Sequence, residues 1–128
     1  MALSPRNLEK LVFFPLHPTA SEASTFTGAT TNIADLQQLD GDIVITLDAG
    51  AAAASGTMTG VIQDSADGTN DWQTVTGGTF VAVAQAASRQ QLVLTKDSLR
   101  RYIRFVGTIA NSGTTTYSVQ GIGVLKYG

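Results

Sequence analysis

Hydrophobic alternation starts abruptly at Gly41. In DIVITLDAG, Ile43, Ile45 and Leu47 fall on one face and Asp42, Val44, Thr46 and Asp48 on the other. A period of two with β-branched residues predicts a half-buried strand. The stretches TMTGVIQDS, TNDWQTV, GGTFVAVAQ, RQQLVLT, RYIRFVGTIA and YSVQGIGVLKY follow, each a strand candidate. Gly77-Gly78 is read as the break between the third and fourth strands, and KDSLR and NSGTTT as turns. The alanine run in AGAAAASG is short and bracketed by glycines, so it predicts a loop rather than a helix. With about seven short strands and no long helix between them, βαβ units are disfavoured. The layer rules then predict an all-β fold, a β-sandwich or barrel, and the N-terminal arm could add an eighth strand compatible with a jelly roll.

Residues 1–40 read differently. Arg6 to Phe14 suits one helical turn or an extended arm, and Pro15 and Pro18 in FFPLHP forbid a continuing helix. The following TASEASTFTGATTNIADLQQLD is polar and rich in small residues, a loop or arm with at most a short strand. The expected organisation is an N-terminal arm and loop region over 1–40 and a β-sandwich domain over 41–128. An arm this long with little regular structure is expected to be mobile, or ordered by something outside its own domain.

The stretch IQDSADGTNDWQTV crowds three aspartates around one glycine. A calcium-binding EF-hand needs oxygen ligands at alternate positions, glycine at the sixth and glutamate at the twelfth. From Asp64 the third position is Ala66 and glycine falls at the fifth, so that pattern is not met. A different calcium site from Asp64, Asp67 and Asp71 is a weaker alternative. Acid–base catalysis would need carboxylates with separated pKa values, which an exposed turn hardly provides. The turn reading accounts for more residues: Asp67-Gly68 is a hairpin pair, and Trp72 begins the return strand, covering one edge of the core.

Composition narrows the function classes. The chain has 128 residues, no cysteine and only 14% charged side chains, against about 25% in an ordinary domain. Disulfides and thiolate chemistry are excluded, and the weakly charged surface suits a protein packed against neighbours. The net charge of -2 gives no support to nonspecific nucleic-acid binding. Acids concentrate before residue 73, and most of the basic residues, Arg89, Lys96, Arg100, Arg101, Arg104 and Lys126, lie after it. Either the two halves form faces of opposite charge, or strands from both interleave and the charges mix. No apolar stretch reaches the roughly 18 residues of a membrane span, and the N-terminus is a poor signal peptide.

Few residues offer chemistry. His17, the single histidine, lies between Leu16 and Pro18, where surface or interface packing is expected rather than metal ligation. A nucleophile elbow of the GxSxG type is absent. No catalytic group, metal site or cofactor is expected. On a strand, Arg100, Tyr102 and Arg104 share a face, a good pairing for a protein interface, with a plain solvated face as the alternative. Trp72, Tyr102, Tyr117 and Tyr127 could form a sugar platform but are spread over several strands. The glycines in Gly121–Val124 suggest close backbone approach or a bulge.

The order GDIVITLDAG, then IQDSADGTNDW, then YIRFVGT, then a β-rich ending resembles the capsid decoration (cement) proteins of tailed bacteriophages. The residues that carry the likeness are Ile62, Gln63, Ser65, Asp67, Gly68 and Trp72, then Tyr102, Ile103, Arg104 and Thr108. It spans about residues 41–126. The resemblance implies a non-enzymatic structural virion protein that binds the outer surface of an icosahedral capsid where capsomers meet. Its partners would be the major capsid protein and further copies of itself, as a homotrimer, with no membrane or direct nucleic-acid contact. The arm residues Leu11, Phe13, Phe14 and Leu16, with Arg100, Tyr102 and Arg104, are the expected interface. A tail or baseplate accessory protein, or a receptor- or carbohydrate-binding β-sandwich, are the alternatives.

Overall fold

A computed structural model describes residues 11–29 and 32–125. It contains β1 (Leu11–Glu22), β2 (Phe26–Thr27), β3 (Ile33–Asp35), β4 (Leu39–Ala49), β5 (Thr57–Ser65), β6 (Gln73–Thr79), β7 (Ser88–Thr95), β8 (Tyr102–Ala110) and β9 (Thr115–Leu125). A 3-10 turn, Lys96–Ser98, links β7 to β8. The first sheet has the order β1-β9-β4-β7. The second has the order β2-β8-β5-β6, with β3 also pairing β8. Every strand pair is antiparallel. The expected all-β sandwich is what forms.

The core lies between the sheets and follows the alternation read from β4. Ile43, Ile45 and Leu47 are all fully buried. They face Met58, Ile62, Ile103 and Phe105 of the second sheet in one apolar cluster. Two glycines make room for the aromatic rings. A Cβ at Gly60 would lie 2.5 Å from the Phe105 ring, and one at Gly107 would lie 2.6 Å from the Tyr117 hydroxyl.

Three expectations change. First, residues 11–22 are no loose arm: they form a twelve-residue strand paired along β9. Proline is tolerated there because β1 is an edge strand, where a missing N–H leaves no ladder bond unmade on the open side. The register shifts between Pro15 and His17 and again between His17 and Ala20. Such bulges break the alternation that a strand reading needs, so the sequence pattern hides this strand. The boundary expected at residue 40 falls inside β4.

Second, Gly77-Gly78 does not separate two strands. β6 runs through both, with Gly77 at φ 79°, a left-handed conformation in which glycine escapes the Cβ penalty. The expected strand GGTFVAVAQ does not form, and only Val83 makes an isolated bridge, to Met58. Third, the Asp67-Gly68 turn belongs to a wider loop, because β5 ends at Ser65 and β6 starts at Gln73.

Phe105 cannot retreat from a new methyl group, since it is fully buried. Gly60→Ala is therefore expected to destabilise the fold by about 1–3 kcal/mol through overpacking, measured by urea unfolding.

Candidate functional site

The aspartate loop between β5 and β6 is closed by one arginine. Arg100, just before β8, donates Nε to Asp64 Oδ1 at 3.0 Å and Nη1 to Asp71 Oδ2 at 3.0 Å. Its Nη2 donates to the carbonyls of Asp64 and Asp71, and its backbone N–H to Asp64 Oδ2. Desolvation pulls the guanidinium pKa down, but the hydrogen bonds it donates to both carboxylates, with their charge, together hold it above its usual value. Asp67 turns inward instead: its Oδ1 accepts from the amides of Asn70 and Thr69, each at 2.9 Å. Those amides, with the Ser65 hydroxyl, hold its carboxyl below the usual aspartate value. Asp64 and Asp71 thus share one arginine, while Asp67 serves the loop's own amides. Among the described residues no group of His, Cys, Asp or Glu could hold a metal ion.

Beside this clasp the outer face of the second sheet carries two arginine–aromatic contacts. Arg104 lies 4.3 Å over the Trp72 ring and donates to Gln63 Oε1 at 2.9 Å. Arg101 lies 4.9 Å from the Tyr102 ring centre and pairs with Asp35 at 2.8 Å. Gly68 sits against the other aromatic contact, since a Cβ there would be 3.1 Å from the Tyr102 ring. Trp72 is therefore not an edge of the core, as expected, but a half-exposed support for Arg104 on the outside. Arg100, Tyr102 and Arg104 do come together here, but Arg100 spends its donors on the loop. In this arrangement the basic cluster is a fastening within the chain.

The charge halves interleave. Asp48–Arg89, Asp64–Arg100, Asp71–Arg100 and Asp35–Arg101 each join an acid from the first half to an arginine from the second.

His17 is in the chain's own interior, whereas the sequence leads one to expect surface or interface packing. The bulge after Pro15 turns both Leu16 and His17 inward, and both are buried. The imidazole stacks 4.0 Å from the Tyr117 ring and meets Phe26 edge-on at 4.5 Å. Its Nδ1 donates to the Tyr117 carbonyl at 3.0 Å, and Nε2 lies 3.2 Å from Glu22 Oε1. Tyr117 is itself a core residue whose hydroxyl has no hydrogen-bond partner among the described residues, and burial pushes its pKa up. The four aromatics considered as a sugar platform therefore do not converge: Tyr117 is internal, Trp72 and Tyr102 are tied to arginines, and Tyr127 lies outside the described residues.

The expected arm interface splits in two. Leu16 is fully buried and Phe14 packs on the core, its ring lying over Gly121, where a Cβ would collide with it. This is the close approach that the glycines of Gly121–Val124 suggested. Phe13 points outward and is 58% exposed. It pairs with Ile122, Ile122 with Val44, and Val44 with Val93, so these four side chains form an apolar row across all four strands of the first sheet. Leu11 and Val124 lie beside the row, and a shallow groove there is lined by Leu11, Val44, Ile122 and Val124, with Asp42 and Gln91 at its rim. Sequence reasoning missed this row. Along β4 the outward neighbours of Val44 are the polar Asp42 and Thr46, and only the strand register brings it between Ile122 and Val93.

No family model and no curated protein matches the sequence. Solved structures do share the fold. The structure of infectious bursal disease virus Gx strain is similar over 92% of this chain and 32% of that chain, at 13% identity and a TM-score of 0.58. The VP2 subviral particle of infectious bursal disease virus is similar over 90% of this chain and 32% of that one, at 12% identity and a TM-score of 0.55. The SPBc2 prophage-derived protein YomS is similar over 89% of this chain and 92% of that one, at 12% identity and a TM-score of 0.54. This chain spans about a third of the length of the bursal disease virus chains it matches. It is an antiparallel β-sandwich of the jelly-roll kind seen in those virus structures; identities this low carry the fold and nothing finer.

Two consequences are testable. Arg100→Ala leaves Asp64 buried without its cation and unties Asp71, so the melting temperature falls, and hydrogen exchange rises first at the amides of residues 66–72. The carboxyls of Asp35, beside Arg101, and of Asp67 titrate below their usual value, so the unfolded chain binds more protons as pH falls. Their contribution is complete above the usual aspartate value and is lost as pH drops through the lowered one. Asp67→Asn should therefore flatten the acid limb of the stability curve measured by urea unfolding from pH 5 downward.

Proposed function

We propose that this chain is a non-enzymatic structural protein of a virus particle, binding the outer surface of an icosahedral phage capsid and stabilising the junctions between capsomers. The major capsid protein is its partner, and the chain also contacts further copies of itself. The observation that carries this reading is the exposed, nearly uncharged apolar row on the outer face of the first sheet, set on a sandwich that virus structures share. Such a face costs little to desolvate, and repeated weak contacts on a shell multiply through avidity. The match to a prophage-derived protein over nearly the whole of both chains supports a phage setting. The ionisable groups that approach one another support a structural role, since Arg100, Asp64, Asp67 and Asp71 are consumed in holding one loop.

In this reading the interface assigned to the arm is narrower than the sequence suggests. Leu11 and Phe13 face outward and are available to a partner, whereas Phe14 and Leu16 serve the chain's own core.

Cryo-electron microscopy of purified virions that carry this chain tests the reading. Density fitting the sandwich at capsomer junctions, with the first sheet facing a neighbouring subunit, is the expected result. Density on the tail or baseplate would move the protein to the accessory class, and absence from the particle would overturn the virion role.

A further inference from the structure

The dipeptide Asp-Gly occurs twice in the chain, at Asp40-Gly41 and at Asp67-Gly68. In this pair a backbone amide readily attacks the side-chain carboxyl before it, because glycine has no Cβ to shield its nitrogen. The fold treats the two copies differently. Asp40 and Gly41 are both exposed near the start of β4. The β9 register passes from Asp40 to Val44 and the β7 register begins at Asp42, so Gly41 is paired in neither ladder. Its N–H donates instead to Oδ1 of Asp40 at 3.0 Å, which sets the amide nitrogen against the carboxyl group. Gly41 has φ 74°, and no atom of the described residues beyond its chain neighbours lies within 4 Å of where a Cβ would stand. At the second copy the Gly68 N–H donates to the buried Ser65 hydroxyl at 3.1 Å. Asp67 Oδ1 accepts from the Thr69 and Asn70 amides, and those bonds favour the ionised carboxyl, the poorer electrophile. The Tyr102 ring also covers Gly68, 3.1 Å from the place of a Cβ.

We propose that Asp40 is a modification site of the folded chain, converting to isoaspartate through a cyclic imide with the Gly41 nitrogen, while the fold protects Asp67 from the same reaction. The Gly41 nitrogen gives up its proton and bonds to Cγ of Asp40, and the carboxyl hydroxyl leaves as water. One water then adds to either imide carbonyl carbon. Opening at Cγ restores aspartate. Opening at the main-chain carbonyl carbon breaks its bond to the Gly41 nitrogen, so the chain now runs through Cγ and an α-carboxylate is set free. One water leaves and one returns, so neither mass nor oxidation state changes, and the chemistry needs only this chain and water. The isomer carries one more methylene in its main chain. Its flanks are fixed, since Leu39 is buried against Gly123 and Ile43 is fully buried. Between them β4 already bulges from β9, with residues 41–43 lacking a partner on that strand, and a bulge takes up added length. The isomer therefore accumulates in folded protein. It presents a new exposed α-carboxylate at residue 40, the group that an isoaspartyl carboxyl methyltransferase esterifies.

Peptide mapping of the purified full-length chain tests the site, after ageing at neutral pH in water enriched in heavy oxygen and digestion in ordinary water. Electron-transfer fragmentation tells isoaspartate from aspartate, and a heavy oxygen records each opening of an imide. In folded protein both signals at residue 40 should exceed those at residue 67 by about tenfold or more, since reaction at Asp67 waits on opening of its loop. In guanidinium the two sites should react alike, because the same dipeptide is then free at both. Ser65→Ala releases the Gly68 amide and should raise the signal at residue 67 several-fold while leaving residue 40 unchanged. Equal labelling of the two sites in folded protein would overturn the proposal. So would a lack of heavy oxygen at residue 40, a preference for residue 40 that survives guanidinium, or an isomer confined to unfolded or aggregated fractions in gel filtration. A folded Ser65→Ala protein with residue 67 still unreactive would overturn the protection assigned to that loop. The guanidinium comparison uses the unaltered chain, so it decides the matter even where Ser65→Ala does not fold.

Discussion

The pairing of β1 with β9 is the contact on which the rest of the molecule depends. It delivers Leu16 and His17 into the interior and lays Phe14 over Gly121. Without it, β9 would be an edge strand whose glycines and Tyr117 face an open core. The pairing is antiparallel and spans Leu11 to Glu22, yet it is interrupted twice. Those bulges let consecutive residues, Leu16 and His17, both point inward, which a regular strand cannot do. The histidine then forms part of the core wall, stacked on Tyr117 and joined to its carbonyl.

Electrostatics in this chain works at short range and inside the chain. Arginines are few, and each of Arg89, Arg100 and Arg101 is paired with an acid from the other half of the sequence. The exposed pairs contribute little stability each, because water screens them and ordering two long side chains costs entropy. Arg100 differs in kind, since it binds two carboxylates and two carbonyls at once and thereby fixes the geometry of a long loop. The loop's polar residues are spent on that geometry. The outer face of the second sheet is thus braced by polar contacts within the chain, and that of the first is crossed by one apolar row between polar ones.

That asymmetry bears on function. A sandwich needs one buried face per sheet, and its outer faces are free to differ. Here the outer face of the second sheet is braced by arginine–aromatic contacts, while that of the first exposes Phe13 and Val93 on a strip without charge. Burying such a strip against a neighbour gains apolar area without stripping water from ions. The low overall charge of the sequence fits an outer face of this kind.

The class of fold, the alternation of β4 and the strands β5, β7, β8 and β9 are legible in the amino-acid sequence alone. These rest on local rules: the two-residue period, β-branched residues and turn chemistry act within a few positions of one another. The strand over residues 11–22, the burial of His17 and the apolar row come instead from pairing between distant strands. β1 carries two prolines and two bulges, so its strand character comes from its partner β9 and not from its own pattern. Phe13, Ile122, Val44 and Val93 are far apart in the chain and ordinary in their local settings. Cross-strand register alone aligns them, and register is fixed by the pairing of whole strands.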